Sequence, residues 1–256
     1  MLLLLSIESN FSKCLVMGST MKSQFFGLNF RGLNLKDVLT LSEEIKFIVT
    51  VNAEFVIEAH KDESFKGIVN DNISTLDGQI PFFFAKRKTD KIIDKISGSD
   101  LIFNVVKNAS NKHKVFLLGD KPEHNAKAVE VAKSQYGCNC YGYSPEFEPF
   151  PFSMQTNKKI CDEIEQVRPT YLFVAFGAKK QEFWIQEHLE FLEKTGVKWV
   201  VGCGGSISFL SGNVKRAPKI AQRVGLESVF RLLQEPKLFR FVRILKSFAF
   251  FKYVFK

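Results

Sequence analysis

Short apolar runs alternate with stretches of helical period through most of this chain, and that alternation admits few architectures. "KFIVTVN" reads as a strand and "AEFVIEAHKDESFKGIVN" as a helix; Leu76-Asp77-Gly78 then reads as a turn before a further apolar strand in "IPFFFAKR". "HKVFLLGD" is a strand and "KPEHNAKAVEVAKSQYG" a helix closing on Gly137. "CNCYGYS" is a short strand, "IEQVRPTYLFVAFGA" contains the next, "KKQEFWIQEHLEFLEKTG" is a helix, and "VKWVVGCGG" is another strand. The expected fold is α/β and Rossmann-like: a mostly parallel sheet with helices on both faces, plus a basic C-terminal helical appendage.

Such sheets bind ligands beyond the carboxyl ends of their strands. The residues there are Thr50 and Asn52, Asp77 and Gly78, Gly119 and Asp120, Phe176 and Gly177 through Gln181, and Gly202 and Gly204 through Ser206. They are small, polar or glycine, which suits close approach of backbone to phosphate or sugar, although any one of them also suits an ordinary turn. If the first strand continues through Thr50 and Asn52, their side chains share a face; Asn52 equally suits the cap of the next helix. "GCGGSI" has Ile207 where the dinucleotide fingerprint needs its third glycine, and there is no GxxxxGK[ST]. Both facts weigh against an NAD(P) oxidoreductase and a P-loop enzyme.

Charge divides the chain. From Lys215 to Lys256 there are eleven Lys and Arg against two acids, Glu227 and Glu235, so the whole net charge of +9 lies in this tail. The first 214 residues balance at 25 basic and 25 acidic. A neutral body with a basic tail, carrying seven Phe or Tyr after Leu238, points to an anionic membrane surface rather than to nucleic acid. The alternative is a basic helix packed on its own domain. The expected organisation is an unassigned extension over 1–24, an α/β core over 25–214, and a basic aromatic segment over 215–256 that docks on the membrane and completes the active site, and whose removal leaves the core folded. The opening "MLLLLSI" is too short to span a bilayer and suggests Met21 as a second possible start. Five scattered cysteines without CxxC spacing suggest neither a disulfide framework nor a zinc site, and fit a reducing cytoplasm.

In order, "TVNAEFVIEA", "LDGQIP", "GSDL", "VFLLGDKP", "FVAFGAKKQEFWI", "VGCGGSISFLSGNVKRAP" and "GLESVFRLLQEPKLFR" resemble the WecG/TagA/CpsF family of bacterial glycosyltransferases, over roughly Phe47 to Arg243. The resemblance implies inverting transfer of an N-acetylmannosamine-type sugar, or its uronic acid, from a UDP donor to an undecaprenyl-diphosphate-linked sugar in cell-surface polysaccharide synthesis. It also implies a location at the inner face of the cell membrane. It assigns Asp77 as the base that takes the acceptor proton, and Gln181 as a substrate contact.

The leaving diphosphate needs positive charge. No two aspartates stand two positions apart and the four histidines form no cluster, so no metal or other cofactor is expected; the cations are Lys95, Arg216, Arg231, Arg240 and Arg243. Three departures from the family pattern bear on the donor sugar: Lys95 where Arg is common, Lys179 where Pro is usual, and Ser208 where Asp is usual. They leave open another UDP-hexose. A non-catalytic membrane adaptor would explain the tail but not the polar junctions. Phe183, Trp184 and Ile185 suit either core or a homo-oligomer contact.

Overall fold

The computed structural model describes residues 22–254 except 110, 235 and 237, and not the side chains of 37, 239 and 243. The readings of "MLLLLSI", of Met21 as a start and of Arg243 as a substrate cation lie outside the described residues. A short antiparallel hairpin, β1 (Ser23–Phe25) and β2 (Leu28–Phe30), precedes α1 (Leu35–Leu39) and the main sheet. That sheet has six parallel strands: β3 (Lys46–Val51), β4 (Ile73–Leu76), β5 (Val115–Gly119), β6 (Cys140–Tyr143), β7 (Tyr171–Ala175) and β8 (Trp199–Gly202). Their order is β4-β3-β8-β7-β5-β6, so the chain leaves β5 toward one edge and β7 toward the other. A crevice therefore opens at the carboxyl ends of these neighbours, the place where doubly wound sheets take ligands.

The strands are apolar on both faces because both are covered. Phe47, Val49 and Val51 of β3 face one layer with Phe116, Leu118, Leu172, Val174 and Val200; Ile48 faces the other with Val115, Leu117, Phe173 and Val201. The first layer is covered by α2 (Ala53–Ala59), α3 (Glu63–Asp71), α7 (Met154–Val167) and α8 (Lys180–Lys194), through Phe55, Phe65, Ile164 and Trp184. The second is covered by α5 (Gly98–Asn108), α6 (Pro122–Tyr136) and α9 (Ser206–Leu210), through Leu101, Ala132 and Ile207. Trp184 and Ile185 are fully buried and Phe183 packs on Phe65, so all three belong to the core.

The structure differs from the sequence reading in three places. The single helix expected after Asn52 is two, α2 and α3, because the Asp62 carboxylate accepts from Phe65 N–H and starts a second helix. "ISTL" is strand β4, and the apolar run beyond it is α4 (Gln79–Arg87) rather than a strand. β4 lacks an apolar signature because Ser74 and Thr75 are buried with their hydroxyls donating to the carbonyls of Val69 and Ile96. Pro81 falls in the first turn of α4, where a missing N–H costs nothing.

The third difference is in the tail. It forms α10 (Lys219–Arg223), α11 (Glu227–Gln234), α12 (Leu238–Ser247) and a 3₁₀ turn (Phe248–Tyr253). The end of this segment packs into the core, with Phe250 and Val254 buried in the first layer. Phe250 meets Phe26 edge-on at 4.9 Å, and Tyr253 stacks on His60 at 4.2 Å. Burying one such phenylalanine stabilises by about 1.5–3 kcal/mol. No helix among the described residues is long and apolar enough to cross a membrane.

Candidate active site

The sequence-selected residues lie along the carboxyl edge of the sheet in three adjoining groups. The first surrounds Asp77, which directly follows β4 and donates its backbone N–H to Val51 O at 2.9 Å. Gly78, at φ +89°, turns the chain from strand into α4. Asp77 thus stands after a strand and before a helix, the reverse of the sequence reading, and this puts it at the ligand-binding edge. Burial, reinforced by the Glu227 and Asp100 carboxylates, pushes its carboxyl up to about 7, with Lys95 and Arg216 partly offsetting that rise.

Arg216 organises this group. Its Nη2 donates to Asp100 Oδ1 at 2.6 Å and its Nε lies 3.8 Å from Glu227 Oε1. Burial opposes ionisation of Asp100, but hydrogen bonds from Ser97 and the Arg216 guanidinium outweigh it and hold its carboxyl below the usual range. Ser97 and Asp100 form a reciprocal capping box on α5, with Ser97 Oγ donating to Asp100 Oδ2 at 2.7 Å. Asp100, Ser97 and Glu227 were not singled out from sequence. The S-x-x-D spacing of Ser97 and Asp100 was the available signal.

The second group joins β3, β8 and α8. Thr50 Oγ1 donates to Gly202 O at 3.1 Å and is buried. β3 ends at Val51, so Asn52 does not share its face; Asn52 instead caps α2, accepting from Phe55 N–H at 3.1 Å. Gln181 is buried in the first turn of α8, and its Oε1 accepts from Gly204 N–H at 3.2 Å. Lys179 enters that helix at φ +68°, a backbone closed to proline, and spends its charge on Asp62 at 2.9 Å and Glu58 at 3.6 Å.

The third group lies at the crevice between β5 and β7. Gly119, at φ +90°, leaves no room for a side chain against Ala175 and Phe176; Phe176 itself packs on Phe152 and Trp184. Asp120 Oδ2 accepts from Ser208 Oγ at 2.6 Å, and His124 Nδ1 lies 3.0 Å from the same hydroxyl. Ser208 therefore bridges Asp120 and His124 where an aspartate would set a second carboxylate against Asp120. The three groups adjoin, since a side chain at Gly98 would crowd Cys203 and Ser206.

The tail reaches this edge. The Arg231 guanidinium lies against Gly205, where a Cβ would overlap it, and sits 4.8 Å above the Phe209 ring. Arg240 is half-buried on α12, which packs on α2. Gly177 is exposed at φ +94° and its carbonyl accepts from Gln181 N–H, so it serves the turn into α8.

Taken together, the edge offers a half-buried carboxyl whose pKa is raised to about 7, the charges of Lys95 and Arg216 acting on it, and a glycine loop roofed by an arginine. The model of the glycosyl transferase WecG/TagA/CpsF family matches residues 23–256. A relative from Bacillus spizizenii, 31% identical over 76% of this chain and 73% of its own length, is named N-acetylglucosaminyldiphosphoundecaprenol N-acetyl-beta-D-mannosaminyltransferase. A Staphylococcus aureus protein of the same name is 28% identical over 92% of both chains. This chain belongs to the WecG/TagA/CpsF family of glycosyl transferases.

Proposed function

We propose that this enzyme transfers an N-acetylmannosamine-type sugar from a UDP donor to an undecaprenyl-diphosphate-linked N-acetylglucosamine, with inversion. The observation that carries this reading is Asp77. A carboxyl with its pKa raised to about 7 is well matched to taking a proton from a sugar hydroxyl, and at the carboxyl edge of the sheet it feels the charges of Lys95 and Arg216. The acceptor oxygen, losing its proton to Asp77, forms a bond to the anomeric carbon as the bond to the UDP oxygen breaks. UDP departs with that electron pair. Arg231, over the Gly204–Gly205 loop, is placed to balance the charge on the departing diphosphate.

A polyprenyl-linked acceptor requires the site to reach a membrane, and the surface suits an anionic one. Ile220, Val224, Leu226, Leu233, Leu238, Phe241, Leu245, Phe248 and Phe251 are exposed in the basic tail. Gly225 lies against Gln79 and Ile80, which brings exposed Ile80 and Phe83 of α4 beside them. Each basic residue near an anionic leaflet adds about 1 kcal/mol. We therefore place the enzyme peripherally on that leaflet, with Arg216 and Arg231 carried by the same segment that docks.

The test is transfer by the purified enzyme to a short-chain lipid-diphosphate-linked N-acetylglucosamine, across a panel of UDP-sugars, with the anomeric configuration of the product read by NMR. The panel is needed because the Asp120–Ser208–His124 bridge differs from a site with aspartate at 208. A product of retained configuration, or no transfer from any UDP-sugar, overturns the proposal.

A further inference from the structure

Glu182 has no part in the transfer steps, yet its surroundings tie it to the donor side of the site. It is fully buried, and its Oε2 has no hydrogen-bond partner among the described residues. Its Oε1 accepts from Gln181 Nε2 at 2.7 Å, while Gln181 Oε1 accepts from Gly204 N–H at 3.2 Å. The carboxyl and carboxamide lie so close to Gly202 that a Cβ there would overlap both. Gly202 does not lie in the left-handed region, so the approach of Glu182 and Gln181, rather than a turn, is what excludes a side chain. The Thr50 hydroxyl holds the Gly202 carbonyl from the neighbouring strand β3. The relay thus runs from Glu182 through Gln181 to the backbone of the loop that Arg231 covers.

The groups facing this carboxyl are few. They are the Gln181 carboxamide, the backbone N–H groups of Lys179 and Glu182 in the first turn of α8, and the Cys203 thiol on the loop after β8. Among the described residues, no cation acts on this carboxyl. Burial accordingly pushes Glu182 up to about 7 despite the hydrogen bond from Gln181, and burial followed by the Asp120 charge pushes the Cys203 thiol up.

We propose that Glu182 is a positioning residue for donor binding: it fixes the Gln181 carboxamide, and through it the Gly202–Gly204 backbone, in the arrangement that receives the donor diphosphate. This rests on the donor reading above. The neutral acid supports the loop without adding charge. Its ionisation sets an unpaired negative charge beside a diphosphate site, so donor affinity falls as pH rises through about 7.

The experiment is calorimetric binding of a UDP-sugar between pH 6 and 8.5, since a sugar diphosphate diester keeps constant charge over that range. Wild type should weaken several-fold with rising pH. Glu182→Gln keeps the Oε1 acceptor and should retain most of the pH 6 affinity with a flatter profile. Glu182→Ala and Gly202→Ala should weaken binding about tenfold or more at every pH, raising donor KM more than they lower kcat. Tm and near-UV circular dichroism check that each variant is folded. Glu182→Gln sharing the wild-type profile, or folded Glu182→Ala binding within twofold of wild type, overturns the positioning role. Wild type that binds no UDP-sugar instead overturns the donor reading, and this role with it.

Discussion

Arg216, the second residue of the basic tail, donates to Asp100 Oδ1 at 2.6 Å and so ties the tail to the capping box of α5 beside Asp77. One guanidinium thereby offsets two carboxylates, Asp100 and Glu227, that both push the Asp77 carboxyl up. The tail is in this way part of the electrostatics around Asp77.

Arg216→Ala should raise the Asp77 pKa further, because it removes a cation that lowers it and unmasks two anions that raise it. The acidic limb of the kcat/KM profile should move to higher pH, and the Tm should fall in line with a loss of about 1–3 kcal/mol for a broken charged hydrogen bond. Arg216→Lys should recover part of both. A pH-rate series with thermal melts checks this, and an unmoved limb would detach Arg216 from the base.

Asp77→Asn should lower transfer by about 10²–10⁴ while UDP-sugar binding persists. Its stability should carry a pH signature. The folded pKa of Asp77 is raised from 3.8 to about 7, so its protonated form favours the fold below pH 4 and that contribution is lost as pH rises through 7. The asparagine variant does not titrate. Its Tm relative to wild type should therefore rise between pH 4 and 7 and level off above.

Transfer should persist in EDTA. Lys95 and Arg216, acting on Asp77, and Arg231, over Gly205, supply cations for the proposed diphosphate site, and the chain has no Asp-x-Asp pair. Activity that collapses on chelation and returns with manganese or magnesium would contradict this.

The two roles of the tail aromatics should separate. Phe250→Ala removes a fully buried ring packed on Phe26 and should cost about 3–5 kcal/mol, read by denaturant unfolding. Leu245→Ser with Phe248→Ser alters exposed side chains and should leave the Tm nearly unchanged while reducing sedimentation with anionic liposomes, more so at high salt. Equal liposome binding by this double variant would end the membrane role of these residues.

The sequence by itself determined the layered fold, because strand and helix periods in "HKVFLLGD", "IEQVRPTYLFVAFGA" and "KKQEFWIQEHLEFLEKTG" are local and each is paid out in one apolar face or two. It also pointed to the carboxyl edge, since strand ends in a parallel sheet collect on one side, but only the structure sets Asp77 there, after β4 and before α4. Tertiary structure decided the rest. β4 was hidden because its buried hydroxyls donate to carbonyls of Val69 and Ile96, contacts no periodicity encodes. Thr50 and Gly202 are 152 positions apart in sequence and meet only because β3 and β8 are neighbours. Composition could place +9 in the tail, but only packing shows Phe250 inside the core and Arg216 against Asp100. Hydrophobic pattern is read from neighbours along the chain, whereas charge pairing and pKa depend on which distant groups share a low-dielectric space, and only the folded chain defines that space.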